Sequence, residues 1–202
     1  DFRFSHRLGQ NFILDDAVVD EIAARSGADA GDAVLEIGPG AGTLTAALLR
    51  RGAHVMAVEV DKNLQPVLES LLGDNPDVKL KFADILKCDL NGLHAELDSM
   101  RAPDGALRVA ANLPYYITSD VLTRFAKSDA HFDSLTIMVQ REAAERIMAQ
   151  VGQKQYCLLS ALLSWHYDIE AAMELPRSLF TPPPHVDSTL LRLTPRETAP
   201  AE

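Results

Sequence analysis

Between Ala33 and Gln150 short apolar runs take turns with stretches of helical spacing. The runs "AVLEIG", "HVMAVEVD", "VKLKFADIL", "ALRVAANLPY" and "SLTIMVQ" predict strands, the third alternating before it turns. Among them "TLTAALLRRG", "KNLQPVLESLLG", "SDVLTRFAKS" and "REAAERIMAQ" predict helices. Gly52 stops the first of these. Pro66 shortens the second, and Ser119 or Thr118 caps the third. Ahead of them "DDAVVDEIAARSG" predicts a helix capped by Asp15 or Asp16 and stopped by Gly27. Beyond them "QYCLLSALLSWHY" has helical spacing, with Trp165, His166 and Tyr167 as helix-end packing. "IEAAMEL" and "STLLRLT" read as a final strand pair separated by "PRSLFTPPPHVD".

Strands alternating with helices predict an α/β fold: a parallel sheet with helices on both faces. Ligands in such sheets bind beyond the carboxyl ends of the strands, near the reversal of strand order. The 202 residues suffice for one domain with a sizeable core. Residues 1–194 are expected to form it, with 1–30 as arm and first helix and 195–202 as tail or linker. The absence of an initial Met suggests a processed or excised fragment. No apolar run reaches the roughly 18 residues of a membrane span. Two distant cysteines, Cys88 and Cys157, form neither a metal spacing nor a disulfide framework, which suits a reducing compartment. A net charge of −10 argues against a generally basic surface that coats nucleic acid, but leaves room for a local basic patch.

Candidate chemistry falls where the first four strands end. "EIGPGAGTLT" places Gly38, Gly40 and Gly42 at a strand-to-helix turn, a G-x-G-x-G spacing that differs from the dinucleotide fingerprint. Glu36, just before it, disfavours a phosphate and favours a cation such as a sulfonium carrying an amino-acid end. Glu59 ends the second strand, where an acid accepts ribose hydroxyls. Asp61 competes for that role, or caps the next helix. Asp84 follows the third strand, placed to accept from an adenine amine or to cap a turn. Together these describe S-adenosylmethionine bound across a Rossmann-like sheet, with no metal required.

The fourth strand runs into "NLPYYIT". A target amine must have its lone pair freed from conjugation. The Asn112 side-chain oxygen and a carbonyl of Leu113 or Pro114 supply two acceptors for its N–H groups. Pro114 holds the preceding residue extended, and Tyr115 offers a ring to stack on a base. The plain alternative is a strand-end turn with tyrosines packed sideways.

The motifs "LGQNFILD", "EIGPGAGTLT", "VEVD", "ADIL", "NLPYYIT", "VQREAAERI" and "FTPPPHVDSTLLRL" come in one order along nearly the whole chain. In them the sequence resembles the ribosomal RNA adenine dimethyltransferases of the KsgA type. The resemblance implies a class I S-adenosylmethionine-dependent methyltransferase fold with a mostly parallel seven-stranded sheet. It implies that Gln10, Asn11, Leu14, Glu36, Gly38, Gly40, Glu59, Val60, Asp84, Ile85 and Asn112 hold the cofactor. By the same resemblance Asn112, Leu113, Pro114 and Tyr115 form the target-base motif, and Phe180 stacks on the flipped base opposite Tyr115. A packed Phe180 in a strand connection is the alternative from sequence alone. Arg3 and Arg7 are candidate RNA contacts. Arg141 and Arg146 either face RNA or pair with Glu142 and Glu145, the pairing being the expectation. The implied reaction is N6,N6-dimethylation of two adjacent adenosines near the 3′ end of small-subunit rRNA. Its setting is the pre-ribosomal 30S particle in the cytoplasm, with the enzyme a monomer outside any membrane. Two alternatives are a large-subunit methyltransferase of the macrolide-resistance type and a non-catalytic assembly or transcription factor. The family usually continues into a small helical domain. Tyr116 and Cys157 stand where relatives commonly carry Asn and Gly.

Overall fold

The structure is a computed structural model that describes residues 12–114 and 116–197. Its elements in chain order are β1 (Phe12–Ile13), α1 (Asp16–Arg25), β2 (Ala33–Ile37), α2 (Thr43–Arg50), β3 (His54–Glu59), α3 (Gln65–Leu72), β4 (Val78–Phe82) and α4 (Leu90–Asp98). They continue with β5 (Leu107–Asn112), α5 (Thr118–Ala126), β6 (Ser134–Gln140), α6 (Arg141–Ile147), α7 (Leu158–His166), β7 (Tyr167–Leu175), β8 (Phe180–Thr181) and β9 (Ser188–Pro195).

Seven strands form one sheet in the order β4-β3-β2-β5-β6-β9-β7. The five from β4 to β6 run parallel, and β9 lies antiparallel to both β6 and β7. The expected α/β class and mostly parallel seven-stranded sheet are therefore present. Side chains of successive strand residues point to opposite faces, and both faces are covered. Leu35, Ile37, Met56 and Val109 enter the core shared with α4, α5 and α7, whereas Val34, Val55, Ala57 and Ala110 enter the one shared with α1 and α2. This double burial is why the strands read as unbroken apolar runs.

Several local expectations change. Asp15, not Asp16, caps α1, accepting from Ala17 N at 3.0 Å. Pro66 sits in the first turn of α3, where a missing N–H costs nothing, so the α-helix begins at Gln65 and is shorter than the run from Lys62, whose first three residues form a 3-10 turn. Neither Thr118 nor Ser119 caps α5: Ile117 holds the cap position, and the Thr118 hydroxyl donates to the Pro114 carbonyl at 3.4 Å. Helix α4 has no counterpart in the sequence reading, because Asn91 and Gly92 weaken its first turn. Asp89 caps it, and Leu90, Leu93 and Leu97 bury its inner face. Tyr167 opens β7 and is buried, but Trp165 is exposed and so does not pack at the helix end as expected. No helix among the described residues is long and apolar enough to cross a membrane.

Candidate active site

Strand order reverses between β2 and β5, and a cavity of about 280 Å3 opens at their carboxyl ends. The turn after β2 supplies its floor. Gly38, Gly40 and Gly42 all have positive φ, at 72°, 58° and 80°. At Gly40 a Cβ would come within 2.6 Å of the Phe12 ring, so this glycine is needed both for its torsion and for space. Gly38 has more room, its nearest neighbour being the Asn112 carbonyl oxygen at 3.7 Å.

Three carboxylates line the cavity: Glu36, Glu59 and Asp84. No Lys, Arg or His is among its described lining residues. Glu36 is buried, and the Thr45 hydroxyl donates to its Oε2 at 2.6 Å. Burial pushes the Glu36 carboxyl up to about 7, the Thr45 hydrogen bond pulls it down, and the nearby Glu59 charge raises it further. Glu59 accepts from Gly40 N at 3.1 Å and from Asp61 N at 2.8 Å, which ties the glycine turn to the end of β3. Its carboxyl is also raised, by burial first, although these amides and that of Val60 oppose the rise. Asp61 lies outside the lining. It accepts from Asn63 N at 3.0 Å as a cap, whereas Glu59 faces the cavity. Asp84 caps its own turn, accepting from Leu86 N at 3.0 Å, and also lines the cavity.

Asn112 ends β5 in register with Met138, and both line the cavity with Leu113 and Pro114. The Pro114 carbonyl accepts from Ile117 N at 3.1 Å and from the Thr118 hydroxyl. The Leu113 carbonyl has no such partner among the described residues. Of the two carbonyls weighed from sequence, the Leu113 oxygen is thus the one left available to a ligand. Tyr116, at 63% exposure, stands at the cavity's edge. Val60 and Ile85 also line the cavity.

Two expectations need correction. Leu14 is 57% exposed and does not line the cavity, because the residues of β1 just before it, Phe12 and Ile13, face inward in its place. Phe180 is only 3% exposed and is not a lining residue. Strand β8 pairs it with Ile13, and it packs in the α1–α2 core beside Ile13, Val19, Ile22 and Met138, all of which do reach the cavity. Phe180 is therefore one layer behind the wall, in the packed arrangement weighed as the alternative. Arg3, Arg7, Gln10, Asn11 and Tyr115 lie outside the described residues. Sequence reasoning missed Phe12, Ile13 and Thr45. The signal for Phe12 was a glycine turn tight enough to need a ring laid against it.

A phosphate ligand would meet three carboxylates and no cation here, whereas a cationic ligand with a ribose and an amine suits them. No group of three or more His, Cys, Asp or Glu able to hold a metal occurs among the described residues.

Known proteins resemble the chain in sequence and in fold. The ribosomal RNA small subunit methyltransferase A of Clostridium perfringens is 42% identical over 192 residues, covering 95% of this chain and 65% of the relative. That of Shouchella clausii is 41% identical over 196 residues, covering 97% and 65%. The chain thus spans about 65% of the length of these curated relatives. A dimethyladenosine transferase from Plasmodium falciparum superposes with a TM-score of 0.76 at 28% identity, covering 92% of this chain and 64% of that one. The 23S rRNA methyltransferase ErmE gives 0.76 at 27% identity, covering 95% and 72%. A family model for ribosomal RNA adenine dimethylase matches residues 1–202, and the chain belongs to that family.

Proposed function

We propose that this chain is the catalytic unit of a small-subunit rRNA adenine N6,N6-dimethyltransferase that uses S-adenosylmethionine and no metal. The unit occupies residues 1–194, acts in the cytoplasm on the assembling 30S particle, and works as a monomer. Its targets are two adjacent adenosines near the rRNA 3′ end. The observation that carries the reading is a cavity whose charged described lining residues are all acids, Glu36, Glu59 and Asp84, and whose wall includes the Asn112–Pro114 segment. Within it Glu36 faces the cationic end of the cofactor, Glu59 accepts from ribose hydroxyls and Asp84 accepts from the adenine amine.

When bound, the cofactor supplies an electrophilic methyl on a sulfonium. The chain's own task is to present a nitrogen lone pair to it. The Asn112 side-chain oxygen and the Leu113 carbonyl accept the two N–H groups of the target amine and turn its lone pair out of conjugation with the ring. Transfer leaves a thioether and a positively charged amine, whose proton is then acidic enough to leave to water, so no strong base is needed. After the first transfer one N–H remains for one acceptor, and the other position must take a methyl. A duplexed or stacked adenosine has to be flipped out to reach this point. Among the described residues the aromatics on the cavity are Phe12 and Tyr116, Tyr115 is the proposed stacking residue of the motif, and Phe180 reaches a base only if the wall in front of it opens.

The second reading, a large-subunit rRNA methyltransferase, is favoured by the equal superposition on ErmE. One experiment separates them. Small and large ribosomal subunits from a strain lacking the modifications are incubated with the chain and methyl-labelled cofactor, and the labelled bases are mapped by mass spectrometry. Label on two adjacent small-subunit adenosines supports the first reading. Label on large-subunit RNA alone replaces it with the second, and no label on either removes both.

A further inference from the structure

The carboxyl edge of the sheet carries a second constellation that the cavity does not use. Asp187, just before β9, gathers the start of α6 and the loop after β7 around itself. Its Oδ1 accepts from Arg177 N at 2.9 Å, and its carbonyl accepts from Arg141 N at 3.0 Å. Its Oδ2 lies 3.7 Å from the Arg141 guanidinium. The Arg177 guanidinium in turn donates to the His185 carbonyl at 3.4 Å. One acidic residue thereby fixes the backbones of two arginines, and His185 sits on the same turn.

The place and the charge of this turn matter together. Arg141 directly follows β6, the neighbour of the strand that ends in Asn112. Arg177 precedes Phe180 and Thr181, which pair with the cavity-wall residues Phe12 and Ile13. The expected pairs of Arg141 and Arg146 with Glu142 and Glu145 are not formed among the described residues; Arg141 faces Asp187 instead. That contact is long, and the Arg141 side chain is 57% exposed, so it stabilises little and blocks little. No carboxylate among the described residues lies within ion-pair distance of the Arg177 guanidinium. Asp187 can offset one of two positive charges. In a chain of net charge −10, two outward guanidinium groups on a rigid turn beside the cavity form a local exception.

We infer that Arg141 and Arg177 form a phosphate-binding rim that grips the RNA backbone beside the nucleotide whose base enters the cavity. The planar guanidinium fork matches phosphate oxygens, and a rim held by backbone hydrogen bonds fixes the strand's register without reading its sequence. This rests on the RNA substrate proposed above.

The test is equilibrium binding of the chain to unmethylated small subunits across a salt series, with cofactor affinity measured in parallel. Arg141→Ala and Arg177→Ala are expected to keep the cofactor dissociation constant within about twofold. Each should weaken subunit binding about fivefold to tenfold at low salt, and lower the log–log salt slope by about 0.7–0.9, the worth of one phosphate contact. Arg177→Lys should keep most of the slope, and it guards against reading a folding defect as a lost contact. Alanine variants with normal cofactor binding and the wild-type slope overturn the rim while leaving the methyltransferase reading intact. A wild-type chain that binds cofactor but no ribosomal subunit overturns both the rim and the RNA substrate. A slope lowered by inorganic phosphate competition alone, unchanged in both variants, marks a free-anion effect and also overturns it.

Discussion

Glu36 is a fully enclosed carboxyl group with one hydroxyl partner and no described cation beside it. Its native value, raised to about 7 by burial, exceeds its ordinary 4.5. Between those values the unfolded chain has lost a proton that the folded chain retains, so stability falls as pH rises through this window. The corresponding loss is roughly 3 kcal/mol at full extent. Urea denaturation of the ligand-free chain at pH 4.5 to 7.5 should show the decline, and Glu36→Gln should flatten it; an identical slope in the variant would refute the assignment. Binding of a sulfonium cofactor should tighten with rising pH across the same range, because the ionised carboxylate then meets a cation. The glycine turn gives a second residue-scale prediction. Gly38→Ala meets only the cost of its positive φ, about 1–2 kcal/mol, whereas Gly40→Ala also drives a Cβ into the Phe12 ring. Calorimetry should find cofactor binding weakened at least tenfold more by the Gly40 change than by the Gly38 change. Equal losses would show that Phe12 moves aside freely.

At the scale of elements, what was legible in the sequence follows from who buries what. The parallel strands and the helices between them were legible because β2, β3, β5 and β6 are covered on both faces, the edge strand β4 alternates, and each helix buries a stripe. The acids and glycines of the site were legible because strand ends are fixed points of such a sheet. Strands β1 and β8 were not, since two residues each carry no period, and only their long-range pairing through Ile13 and Phe180 defines them. The same pairing withdrew Phe180 from the cavity and put Phe12 into its wall, which no local pattern encodes. Asp32 is a second such tie. It accepts from Ala106 N at 2.7 Å and from Asp29 N at 3.1 Å, and pairs with the Arg108 side chain at 2.7 Å. It thus joins the start of β2 to the start of β5 at the end of the sheet opposite the cavity. Asp32→Ala leaves Arg108 largely enclosed without its carboxylate, at an expected cost of about 3–5 kcal/mol. Urea titration with an unchanged m-value measures it. A loss below about 1 kcal/mol would mean that Arg108 finds another acceptor, the Ser134 hydroxyl at 3.2 Å being the nearest described one.

For the whole molecule the governing fact is the sign of its charge. A chain at −10 and a ribosomal subunit repel each other at long range, so attraction must come from the few cations near the cavity. Salt then acts in two opposed ways. It screens the general repulsion, which favours encounter, and it competes for the phosphates that Arg141 and Arg177 hold, which favours release. A strongly basic RNA binder shows only the second effect, with a steep negative slope. Here the net dependence should be shallow, equivalent to about two or three phosphates, or a log–log slope smaller in magnitude than about 3. Association rates should rise with salt, because the whole-molecule field opposes encounter until it is screened. Stopped-flow mixing of the chain with small subunits from about 50 to 200 mM salt reads both quantities at once. A slope near −6 or beyond would mean that many more cations touch RNA than the described surface offers, and the account of a short rim beside an acid-lined cavity would fail.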